Sequence, residues 1–120
     1  MNISANFKRK EFACKGLHCC NHSAPVHPDL IAGLQELRDR LKSPIHITSG
    51  FRCNTHNRNV GGAPNSYHTL GMAADIITPG MTPLQLYEMV NEIDLFRMGG
   101  IGIYKNFIHV DVRQTGPARW

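Results

Sequence analysis

The residues best suited to chemistry lie in two short segments, SYHTLGMAAD with His68 and Asp75, and FIHVDVR with His109 and Asp111. Residues two apart on a strand share a face, so His109 and Asp111 point together while Val110 and Val112 point the other way, into a core. Asp75 interrupts the apolar run AADII, where a buried carboxylate without a partner is costly. A divalent cation would supply that partner. Two imidazoles and one carboxylate form a ligand set of catalytic Zn²⁺ sites, with a fourth position left for water. Gly71 between His68 and Asp75 lets the chain turn sharply enough to bring the pair to one point. Taken singly, each residue also fits a structural role: a strand histidine hydrogen-bonded to its surroundings, or an aspartate capping a turn.

Further candidates lie upstream. In SGFRCNTHN, the planar fork of Arg52 suits bidentate binding of a peptide carboxylate, which a lysine would meet only as a point charge. Ser49 and Ser66 either bond substrate or shape turns, His56 is a candidate substrate contact or proton donor, and Tyr67 could donate to an oxyanion. His27 and His46 read as structural. The cysteines fall unevenly, with Cys14, Cys19 and Cys20 in CKGLHCCNH and Cys53 alone further on. Buried free thiols in a compact loop are the default reading. Disulfides, or a structural Zn²⁺ held with His18 and His22, are the alternatives.

The elements that must position these groups follow from periodicity. Leu30, Leu34, Leu37 and Leu41 form the apolar stripe of a helix over 29–42, preceded by Pro28 and stopped by Ser43-Pro44. IHITSG alternates and reads as a strand with His46 and Thr48 on its polar face. Residues 52–70 are rich in Asn and Gly, so they read as a long loop. AADII resumes a strand, and Thr82, Pro83 and Gln85 open a second helix with a capping box. That helix presents Leu86, Tyr87, Val90, Ile93 and Phe96 before Gly99-Gly100 breaks it. Strands IGIY and FIHVDVR follow, joined by a hairpin at Lys105-Asn106. The expected architecture is a small α+β domain spanning 1–120, an antiparallel sheet with packed helices.

Composition narrows the classes of function. With 120 residues and 42% hydrophobic content, one modest core is expected, and a monomer is the default. Thirteen Lys+Arg against nine Asp+Glu give a net charge of +4, compatible with a polyanionic partner but without the clustered basic blocks of a nucleic-acid binder. No apolar run approaches the roughly 18–20 residues of a membrane span, and MNISANFKRKEF has no apolar core of a signal peptide. Synthesis in the cytoplasm, without membrane attachment, is therefore expected.

The segments SGFR, N-x-x-V-G-G, S-x-H-x-x-G-x-A-x-D and FIHVDVR followed by ARW resemble the zinc D-alanyl-D-alanine carboxypeptidase family, which includes related murein endopeptidases. The likeness runs from about Phe7 to Trp120 and is nearest to short single-domain members from bacteria and from phage or prophage genomes. The resemblance implies an α+β fold shared with the signalling domain of hedgehog proteins. It implies His68, Asp75 and His109 as Zn²⁺ ligands and Arg52 as a substrate contact. It also implies cleavage of peptidoglycan peptides; release through lysis or phage machinery would bring the protein to the wall, and a cytoplasmic dipeptide is the alternative substrate.

One departure stands out. Several relatives carry Glu three residues before the last zinc histidine, where this chain has Asn106, which cannot accept a proton. Asp111 is then the first choice of general base, with orientation of a histidine ligand as its competing role. In relatives with H-x-H at this place the second residue is the ligand, and on that alignment Asp111 would bind zinc and His109 would move protons. The missing glutamate also keeps open a binding module that holds zinc and murein without turnover. A zinc knuckle for nucleic acid, built on CKGLHCCNH, is the weakest reading.

Overall fold

The computed structural model describes residues 2–17 and 19–120. His18, one of the residues weighed above for a structural zinc, lies outside the described residues. Helix α1 (Pro28–Leu41) starts where the His27 ring accepts from the Asp29 amide, and it buries Leu30, Leu34 and Leu37. It ends at Lys42, which adopts a left-handed conformation. Strands β1 (His46–Ser49), β2 (Ala73–Ile77), β3 (Gly100–Ile103), β4 (Ile108–Asp111) and β5 (Ala118–Arg119) form one sheet in the order β1-β2-β4-β3-β5. Four strands pair antiparallel as expected, whereas β5 joins β3 in parallel.

Alternation divides the sheet into two faces. Ala74, Ile76, Ile101, Ile108 and Val110 are fully buried and share one core with residues of α1 and of helices α3 (Pro83–Val90) and α4 (Asp94–Arg97). Phe96 lies so close to Gly33 of α1 that a methyl group there would sit 2.7 Å from the ring, which lets the two helices approach. The opposite face carries Asp75, His109 and Asp111, with Asp75 directly across from His109 in the β2–β4 register. On β3 that face is bare at Gly100 and Gly102, and the side chains of Arg113 and Trp120 lie over it.

Two sequence expectations need correction. The helix opened by Thr82 does have its capping box, but it stops at Val90 and the chain re-enters helix only at Asp94. Ile93 and Phe96 remain fully buried across the break. The segment 52–70 is not all loop: it contains α2 (Asn54–Asn59) and a 3₁₀ turn over Tyr67–Leu70. The Cys53 sulfur accepts from the His56 amide to start α2, and Ser66 Oγ accepts from the His68 amide to start the turn. Gly71, at φ +70°, closes that turn against the Pro25 carbonyl, where a side chain would collide.

Candidate metal centre and its cavity

His68 enters the site from the 3₁₀ turn, Asp75 from the middle of β2 and His109 from β4. Three otherwise distant residues thereby meet. His68 Nε2 lies 3.1 Å and His109 Nδ1 3.2 Å from the same Asp75 Oδ1 atom. The two rings are edge to face with centroids 5.1 Å apart.

The far nitrogen of each ring is committed to a hydrogen bond. His68 Nδ1 is 2.7 Å from the Gly50 carbonyl, which can only accept, so this nitrogen carries the proton and Nε2 keeps its lone pair. His109 Nε2 is 2.8 Å from Asp111 Oδ2 and by the same reasoning donates to it, turning the Nδ1 lone pair toward Asp75. Two lone pairs and a carboxylate oxygen therefore face one another, an arrangement that calls for a positive charge between them. Spacings of 3.1–3.2 Å approach the roughly 3.3 Å edge of a tetrahedron with ligand bonds of about 2.0–2.1 Å. By geometry and by donor chemistry these residues fit Zn²⁺.

The electrostatics of the cluster favour positive charge beside Asp75. Burial would raise the Asp75 pKa, but the adjoining His109 and His68 rings outweigh it and hold the carboxyl at about 2. Burial alone would lower His109, yet the Asp111 and Asp75 carboxylates hold it above its ordinary value.

Asp111 is fully buried behind His109. Its oxygens accept from the Gly100 amide and from the Arg113 amide, Nε and Nη2, at 2.7–3.1 Å, besides His109. Burial would raise its pKa, but Arg113 first and His109 next hold the carboxyl well below the usual range. Saturated by these donors and buried behind His109, the carboxylate is placed for the orienting role rather than the base role expected of Asp111. The geometry does not support Asp111 as a zinc ligand either, since it meets the ring at the nitrogen turned from Asp75.

The three residues open onto a cavity of about 560 Å³ whose wall includes Arg52, Gly62, Ser66, Tyr67, Tyr104 and Trp120. Among the sequence candidates, Arg52, Ser66, His68, Asp75 and His109 thus come together. Ser49 ends β1 opposite Asp75 and does not line the cavity. His56 sits in α2 beside Gly16, also outside it. Neither lines the cavity, so neither is placed for the substrate contact weighed for it.

A family model described as Peptidase M15 matches residues 5–111. The chain belongs to this peptidase family. A stretch of 44 residues is 50% identical to a zinc D-Ala-D-Ala carboxypeptidase of Streptomyces albus G. That match covers 36% of this chain and only 17% of the relative.

Two further residues, Arg113 and Trp120, belong to the wall of the M15 site. Arg113 stacks its guanidinium over Tyr67 at 4.5 Å and over Trp120 at 5.2 Å while pairing with Asp111. Trp120 is half exposed, lies 5.1 Å from the His109 ring and donates from Nε1 to the Tyr104 hydroxyl. A signal for Arg113 was available: it continues the alternation His109, Asp111, Arg113. No comparable local signal pointed to Trp120.

Proposed function

We propose that this chain is a zinc-dependent peptidase that hydrolyses peptide bonds of bacterial peptidoglycan, in stem peptides or crosslinks containing D-amino acids. The observation that carries the reading is the convergence of two imidazole lone pairs on the Asp75 carboxylate, each ring held by a proton donated from its far side. Membership of a peptidase family supports the reaction class, and the name of the Streptomyces relative supports both the metal and the D-amino-acid substrate. Bound at the centre, Zn²⁺ would polarise the scissile carbonyl and activate water near neutral pH.

The chain's own residues supply binding and orientation. Arg52 is half buried in the cavity wall, and its Nε is a buried donor without a partner. Burial lowers its pKa against the pull of Asp75, but a guanidinium stays charged in proteins. A peptide carboxylate arriving there would restore the missing acceptor. Ser66 and Tyr67 line the same cavity, which supports a substrate contact for the first and an oxyanion donor for the second. Asp111 acts through His109, holding its tautomer and ring plane.

Digestion of defined murein fragments tests the reading, with products identified by mass. Treatment with EDTA should abolish product release and Zn²⁺ should restore it, whereas cleavage that survives complete metal removal overturns it. Arg52→Lys should raise KM for fragments ending in a free carboxylate and change kcat little, because a charge-assisted bidentate contact is worth about 1.5–3 kcal/mol, roughly 10- to 150-fold. Crosslinked fragments cleaved away from a terminal carboxylate should be insensitive, so the same variant reports which bond is cut.

One observation favours a second reading. Among the described residues lining the cavity, Asp75 is the only carboxylate, so no free base accompanies the proposed ligands. A murein-binding module without turnover would be folded, zinc-loaded and able to retain murein while leaving every fragment intact.

A further inference from the structure

The four cysteines, distributed in the sequence as Cys14, Cys19-Cys20 and Cys53, come together in the fold. All four sulfurs lie within 4.8 Å of one another. Cys53 to Cys14, Cys14 to Cys19 and Cys19 to Cys20 are each 3.9 Å. Zinc–thiolate bonds of about 2.3 Å place the corners of a tetrahedron about 3.8 Å apart. Near-tetrahedral spacing along this run, with no sulfur farther than 4.8 Å from another, suits a tetrahedral cation, whereas two disulfides would draw the sulfurs into pairs.

The surrounding chain is shaped for that convergence. Asn21 and His22 both adopt φ of 56°, in the left-handed region that non-glycine residues seldom occupy. They fold the segment back, so that the Cys14 amide donates to the Ser23 carbonyl at 2.8 Å and His22 Nδ1 lies 3.0 Å from the Cys14 carbonyl. At Gly16 a side chain would strike the Cys19 sulfur and the His56 ring. The His56 amide donates to the Cys53 sulfur at 3.4 Å, the kind of outer contact that settles a ligating thiolate.

We infer that Cys14, Cys19, Cys20 and Cys53 form a second, structural Zn²⁺ site that staples the amino-terminal segment to the loop carrying Arg52. With four protein ligands the site is closed and has no corner for substrate. Binding exchanges the thiol protons for the metal, so they leave to solvent and no oxidant or reductant is involved. Cys53 precedes α2, and α2 leads into Val60, Gly61 and Gly62 of the cavity wall. The staple therefore braces one side of the peptidase cavity without joining its chemistry.

The test is independent of hydrolysis. Protein purified under reducing conditions and assayed for bound metal should carry two Zn²⁺ per chain, falling to one in His68→Ala and to one in Cys53→Ser. In reduced, metal-free His68→Ala protein, added Co²⁺ should give the intense sulfur-to-cobalt charge-transfer absorption and the visible bands of tetrahedral thiolate coordination. Zn²⁺ should then bleach both and protect the thiols from a disulfide reagent. This cobalt measurement needs no cysteine variant, so it stands even where Cys53→Ser fails to fold. Absence of the charge-transfer band, thiol reactivity indifferent to Zn²⁺, or disulfides in the reduced preparation would each overturn the site while leaving the proposed peptidase centre untouched.

Discussion

Replacing His68 by alanine is expected to lower kcat/KM on murein fragments by at least about a thousandfold, equivalent to about 4 kcal/mol of transition-state stabilisation. The imidazole is 1% exposed and supplies one of three donors at the centre, so its loss leaves two ligands and an enlarged gap. The same change strips the Gly50 carbonyl of the proton it accepts, and an orphaned buried acceptor costs about 1–3 kcal/mol of stability. Asp75→Asn separates these two effects. It keeps the side-chain volume and touches no backbone partner of His68, but it removes the negative charge on which both imidazoles converge. Turnover should collapse in both variants, with a lower melting temperature in His68→Ala. Zinc at this centre, counted beside turnover and circular dichroism, should be lost in parallel. Turnover near the parent level in either variant would sink the assigned ligand set.

The parts of the site readable beforehand were those carried by local periodicity. Alternation in FIHVDVR separates His109 and Asp111 from the valines, and the structure has Ile108 and Val110 in the core with Asp111 buried on the other face. That Asp75 faces His109 is a matter of β2–β4 register, which neither segment encodes alone. It follows from the sheet order, set by where the helices pack. Gly99-Gly100 reads as a helix break, whereas Gly100 already belongs to β3, and the missing side chains of Gly100 and Gly102 make room for Arg113 and Trp120. The short helix α2 was invisible because its residues are turn formers and its cap is a sulfur, an unusual acceptor for that position. Cys53 looked isolated for the same reason: only the fold of the 14–23 segment brings the other three sulfurs to it.

Asp111→Asn distinguishes the two roles open to that residue. The carboxylate accepts five hydrogen bonds, three of them from Arg113 and one from His109 Nε2. Asparagine can still accept from Gly100 and Arg113 through its oxygen, but its amide group then meets the His109 Nε2 proton as a second donor. The ring relieves that conflict by moving its proton to Nδ1, the nitrogen that faces Asp75, where it blocks metal. Zinc affinity should fall by about 10- to 100-fold, the usual cost of losing the carboxylate behind a ligating histidine. Turnover at saturating Zn²⁺ should recover much of the parent value. A general base behaves in the opposite way, since its loss leaves zinc affinity unchanged and lowers kcat at any metal concentration. Asp111→Ala is expected to be far more damaging, destabilising the fold by about 3–5 kcal/mol, because it abandons a largely buried Arg113 guanidinium without its counter-charge. Titrating zinc into the two variants, with kcat measured across the titration, therefore assigns Asp111 either to the ring it holds or to the reaction itself.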